Sequence, residues 1–158
     1  MQDGVRQTTQ ADVPSILDLA EATRDECQRY QPTFWRKAGN SREEHEPYLR
    51  RLIGDERVIA RVHESGGAID AFAFASLVPA PPVYDPGGTV CLIDDFATVD
   101  AASWETAGAA LLAAVTAEAK RRGAVLGVVI AGHLDQSKRA MLARAGYAIA
   151  SEWHTRDL

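Results

Sequence analysis

The spacing of apolar positions changes several times along the chain, and each change marks a predicted element. GVRQTT (4–9) reads as a short first strand. Behind Thr9, Val13, Ile16, Leu17 and Ala20 recur at helical spacing, with Thr9 as cap, Asp12 in the first turn and Pro14 tolerated near the start. This helix is expected to run towards Cys27 or Tyr30, where YQPTFWRKAGN breaks it. Ser41 and Glu44 make an S-x-x-E capping box for a second helix, with Leu49, Leu52 and Ile53 as its apolar side and Pro47 as an alternative start.

The pattern then turns to strands. RVIARVHE (57–64) and AIDAFAFASLV (68–78) are joined by a glycine turn and read as a hairpin, with Phe72 and Phe74 on one face. PAPPVYDPGG (79–88) is a stiff loop, because its prolines cannot donate to a ladder. TVCLIDDFATV (89–99) is the next strand. A third helix carries Ala107, Leu111, Leu112, Val115 and Ala119 on one side, with Lys120, Arg121 and Arg122 at its C-terminus and Gly123 as its stop. AVLGVVIAG (124–132) is a continuous apolar run, expected to be a strand buried on both faces. A short helix over 138–145 turns Met141, Leu142 and Ala145 inward and stops at Gly146; YAIASEWHT (147–155) is expected to close the chain as a strand. The predicted order is β-α-α-β-β-β-α-β-α-β, an α/β fold with helices on both faces of a mixed sheet.

Composition narrows the function. The 158 residues suit one domain spanning 1–158, and 46% apolar with 25% charged residues is an ordinary balance for a soluble globular protein. A net charge of −5 argues against general nucleic-acid binding. No apolar run is long enough for a membrane span, and the first residues lack the basic start and apolar core of a signal peptide, so a cytoplasmic location is expected. Cys27 and Cys91 lie far apart and read as reduced thiols. His45, His63, His133 and His154 show no metal spacing, and no metal is expected.

Three stretches carry a resemblance. LIDDFATVDAASWETAGAALL lines up without gaps on a strand, turn and helix whose turn usually reads Q/R-x-x-G-x-G/A. DQSKRAMLARAGY lines up with a segment N-x-x-A-x-x-x-Y-x-x-x-G-F, and VRQTTQADVPSILDLA with a first strand and helix. Together with the element order, these make the chain resemble the GCN5-related N-acetyltransferase (GNAT) family over nearly its whole length. The resemblance implies a mostly antiparallel central sheet flanked by helices, and acetyl-CoA as co-substrate. It places the cofactor along Phe96, Ala97 and Thr98, around the turn and helix start from Ser103, Trp104, Glu105 and Thr106 to Ala107, Gly108 and Ala109, and beside Asp135 and Lys138.

In that family the turn grips a pyrophosphate, using unpaired N–H groups and the dipole at a helix N-terminus. Here Ser103 stands at the basic position, Thr106 at the first glycine, Gly108 at the second, and Glu105 at a variable position that is often basic. Ser103 brings no charge, Thr106 adds a Cβ and a methyl, and Glu105 repels phosphate by roughly 3 kcal/mol at ~6 Å and an effective dielectric of ~20. Gly108 and the backbone amides remain.

Acetyl transfer to an amine needs a base for the ammonium proton and gains from an acid for the leaving thiolate. Related diamine acetyltransferases carry a Glu-Asp pair on the fourth strand, matched here by Asp94 and Asp95. Strict alternation puts Asp94 on one face with Leu92 and Phe96, and Asp95 on the other. The resemblance gives Asp94 the base position; the alternative is a structural acid. The family's tyrosine falls on Leu142, which donates no proton, and Tyr147 takes the place of a core Phe. His133 is a reserve acid or base, or else a turn residue. For the acceptor, Tyr30, Phe34 and Trp35 border the expected pocket, with Tyr84 on the loop opposite and Asp95 as a carboxylate for a cationic amine. Phe34 and Trp35 also suit hydrophobic anchors. The two functional readings are an N-acetyltransferase acting on a small-molecule or protein amine, and a catalytically silent module of the same fold that binds acyl-CoA or a partner chain. SEWHT offers an edge for a homodimer.

Overall fold

A computed structural model describes residues 3–158. Five strands form one sheet in the order β1-β2-β3-β4-β5: β1 (Gly4–Gln7), β2 (Val58–Ser65), β3 (Ala68–Val78), β4 (Thr89–Thr98) and β5 (Ala124–Val129). All neighbours are antiparallel except β4 and β5, which are parallel. Helices α1 (Val13–Tyr30) and α2 (Ser41–Ile53) cover one face; α3 (Ala107–Arg121) and α4 (Gln136–Arg144) cover the other.

Two cores follow from strand alternation. Phe72 and Phe74 join Val13, Ile16, Leu17 and Leu49 under α1 and α2, as the alternation of β3 predicts. Ala73, Cys91, Ile93 and Phe96 join Leu111, Val115, Met141 and Leu142 under α3 and α4. Asp12 ties the first strand to the first helix: its carboxylate accepts both ends of the Arg6 fork (2.9 Å each) and the Thr9 amide (2.7 Å). Gly123 and Gly146 take φ of +90° and +86°, so the helix stops read from the sequence hold.

Several expectations need correction. The chain over 147–155 forms no strand, so the final β element is missing. With nothing paired outside it, β5 is an edge, and Val125 and Leu126 are 54% and 46% exposed rather than buried on both faces. α2 begins at Ser41 with Asn40 as its cap residue, and Pro47 lies inside it. The Ser41 hydroxyl donates to Glu21 (2.7 Å) instead of closing a capping box. Ala145 faces solvent beyond the end of α4. β4 is not regular: Phe74 pairs with Asp95 and Ala75 with Ile93, so Asp94 is a bulge residue with no partner on β3. The bulge flips the alternation, and Phe96 shares the α3–α4 face with Cys91 and Ile93. The expected grouping of Leu92, Asp94 and Phe96 on one face therefore fails.

Candidate functional site

The site begins where two parallel strands part. Pairing of β4 with β5 ends at Ile93 and Val129, and the Ile130 amide makes a last bond to the Ile93 carbonyl (3.0 Å). β4 continues to Thr98 along β3, while the chain after Ile130 turns towards α4. From Asp94 onward, the β5 side of β4 is an edge without a strand partner. His45 of α2 and Lys138 of α4 bond to β4 here, and Tyr30 at the end of α1 packs over Gly132, so these three elements border the cleft.

On the α2 side the carboxylates are organised through a chain of donors. His45 Nε2 lies 2.7 Å from an Asp95 carboxylate oxygen, and Arg24 lies 3.0 Å from His45 Nδ1. Arginine only donates, so Nδ1 accepts and the ring proton sits on Nε2, which donates to Asp95. Arg24 is fixed in turn by Glu21 (2.7 Å), which also accepts from Ser41 and Lys37. The Ser41 bond first, and then Arg24, hold the Glu21 carboxyl down to about 2. Asp94 stands at the lip of the cleft, open to solvent on one side; the surrounding protein, and then the Asp95 charge, push its carboxyl above the usual carboxylate range. Burial raises the Tyr48 phenol, with Asp94 and Asp95 adding to it, so both carboxylates act on the α2 side.

On the opposite side stands Lys138, 5% exposed. Its ammonium donates to the Phe96 carbonyl on β4 (3.0 Å) and lies 5.1 Å from the ring centres of both Phe96 and Trp104. Desolvation, against the pull of Asp135 and the paired acids, brings its pKa down to about 8. Asp135 caps α4, its carboxylate accepting from the Lys138 amide (3.3 Å). Tyr30 reaches over Gly132 and bonds with Cys27 (3.1 Å), while His133 meets its ring edge-on at 6.1 Å.

The turn before α3 has its own architecture. Residues Ala102–Glu105 form a 3-10 turn, and Thr106 departs from helical geometry before α3 starts. The Ser103 amide and hydroxyl both donate to Asp100 (2.8 Å each), so the hydroxyl has a partner already. Trp104 is 6% exposed and packs against Phe96 with ring centres 4.8 Å apart. A Cβ on Gly108 would lie 2.7 Å from the indole, so this glycine makes room for Trp104. Ala107 and Gly108 are both buried. Glu105 points to α4, where it pairs with Arg144, and both line an open groove between α3 and α4 with Ala109, Met141 and Tyr147. The acid that opposed a phosphate in the sequence therefore carries its own counter-ion.

The remaining residues divide. Phe34 and Trp35 pack edge-on with each other (4.6 Å), and Phe34 meets Trp153 (5.7 Å), an exposed aromatic group on the α1–α2 connection. Tyr84 does not join the site: it is exposed in the loop leading to Thr89, the end of β4 away from the cleft, where Gly88 packs on Val125. Sequence reasoning missed His45, Arg24, Tyr48 and Arg144. Only Arg24 left a trace, as the i,i+3 partner of Glu21. Among the described residues no cluster of three metal-binding side chains occurs, and no helix is long and apolar enough to cross a membrane.

No protein-family model matches the sequence, and no curated protein does. Solved structures do match in shape: the architecture is that of the GNAT acetyltransferases. A GCN5-related N-acetyltransferase from Ralstonia eutropha is 20% identical, with 99% of each chain covered and a TM-score of 0.75. A predicted acetyltransferase from Clostridium acetobutylicum, solved with acetyl-CoA, is 16% identical over 99% of this chain and 96% of that one, also at 0.75. A mutant of the BH1408 protein from Bacillus halodurans is 13% identical, with 98% of each chain covered and a TM-score of 0.85.

Proposed function

We propose that this protein is an acetyl-CoA-dependent N-acetyltransferase acting on a primary amine of a small molecule or a protein. The observation that carries this reading is the parting of β4 from β5 beside Asp94, which leaves a strand edge free to bind an extended acyl-thioester arm next to a carboxylate of raised pKa. The arm's amides would meet the edge at Thr98, beyond the Phe96 carbonyl that Lys138 holds, and its phosphates would reach the α3 start and the α3–α4 groove. Asp94 takes the proton of the acceptor ammonium. Asp95, which accepts from His45, faces that ammonium as a carboxylate partner, with Tyr30, Phe34 and Trp35 as the outer wall.

Two observations favour the second reading, a catalytically silent acyl-CoA-binding or partner-binding module. Trp104 covers Gly108, and Ser103 is engaged by Asp100, so the turn offers a phosphate less open backbone than the family pattern. Thermal unfolding with millimolar acetyl-CoA, followed by thiol release with a panel of primary amines, separates the readings. Stabilisation with amine-dependent thiol release supports the enzyme; stabilisation without it supports the silent module.

A further inference from the structure

Lys138 is a buried ammonium beside the parted strands, 5% exposed. Among the described residues no carboxylate lies within ion-pair distance of Nζ; its contacts are one carbonyl and the faces of two aromatic rings. A buried cation so held is costly, and such costly groups concentrate at functional sites. The carbonyl it meets, that of Phe96, is approached from the β5 side, along the edge where the strands have parted. Phe96 lies two residues beyond the Asp94 bulge on the same strand.

The other candidates are placed differently: His133 is exposed and meets the Tyr30 ring edge-on. Leu142, one turn further along α4, is packed into the core. The Tyr147 hydroxyl sits over Gly127, on the paired part of β5. Tyr30 bonds with Cys27, and burial makes its phenol a weaker acid than a free one. Resting on the acetyltransferase reading above, we propose that Lys138 is the catalytic acid, its ammonium protonating the thiolate that leaves when the acyl group is transferred. The ammonium of the acceptor gives one proton to Asp94, and its nitrogen then attacks the thioester carbonyl. The second nitrogen proton goes to solvent as the C–N bond forms. The C–S bond breaks, the sulfur takes a proton from Lys138, and Lys138 recovers one from solvent. The pKa of about 8 lies close to that of a thiol, the match that efficient proton transfer needs.

The test uses the full chain with acetyl-CoA and with the acetyl thioester of an acidic aryl thiol, whose thiolate leaves without a proton, at saturating spermidine or a lysine peptide. Wild-type kcat with acetyl-CoA is expected to fall as pH rises through about 8. Lys138→Met should lose about 10²-fold or more with acetyl-CoA, and its alkaline limb, but less than about fivefold with the aryl thioester. Equal losses on both donors, or an alkaline limb that survives the substitution, would overturn the assignment. The wild-type pH profile needs no variant, and Lys138→Gln guards against a folding defect in the methionine protein. Absence of acetyl transfer by the wild type overturns the acetyltransferase reading itself, a different failure from that of Lys138.

Discussion

Replacing Lys138 by methionine is expected to stabilise the fold, and the size follows from its surroundings. The pKa drops from 10.5 to about 8, which at ~1.4 kcal/mol for each tenfold in proton affinity places about 3–4 kcal/mol of unfavourable energy on the native ammonium at neutral pH. Methionine removes that cost and keeps the packing against Phe96 and Trp104. It also leaves the Phe96 carbonyl without its donor, a loss of about 1 kcal/mol. The net gain at pH 7 is about 2–3 kcal/mol. The pH dependence has a definite sign. Between about 8 and 10.5 the unfolded chain holds a proton that the native lysine has released, so wild-type stability rises across that window. Below pH 8 the penalty is fully present, and the variant lacks the rise altogether. Urea unfolding of both proteins at pH 7 and pH 10 measures this, and the difference between them cancels the other titrating groups. A variant less stable at pH 7, with a gap that does not change with pH, would show that the ammonium has a counter-ion or free access to water.

Gly108→Ala should destabilise the protein by about 1–3 kcal/mol in thermal or urea unfolding, because its methyl meets the indole of Trp104; a neutral result would mean the indole is free to move. Glu105→Gln releases Arg144 and removes a negative charge from the α3 start, so calorimetry should show CoA binding about tenfold tighter, while an unchanged Kd would place the phosphates away from this pair. His45→Ala frees Asp95 and Arg24 and should raise KM for a cationic amine about tenfold, with little change in KM for acetyl-CoA; equal changes in both would argue for a general loss of structure.

Much of the fold was legible because it is written in periodic patterns. The alternation of Phe72 and Phe74, the stripe from Val13 to Ala20 and the glycine stops at Gly123 and Gly146 each report local geometry, and each is found in the structure. The final strand was not legible in the same way. Tyr147, Ile149 and Trp153 have a strand-like look, but pairing is a long-range property, and the segment finds no partner. The bulge at Asp94 was hidden for a similar reason: an extra residue in one strand shows only against its neighbour. The polar network was hidden too, since Arg24, His45 and Asp95 come from three separate elements. The turn SWETAG is instructive because its letters are read correctly and its contacts are not. Glycine there admits a tryptophan, and the glutamate that should repel phosphate is neutralised from α4.

Thiol release from acetyl-CoA, followed in the presence and absence of primary amines, tests the proposed chemistry most directly. Release that depends on amine, saturates with acetyl-CoA and is lost in Asp94→Asn is the expected result. No release with any amine, together with no thermal stabilisation at millimolar acetyl-CoA, would contradict it.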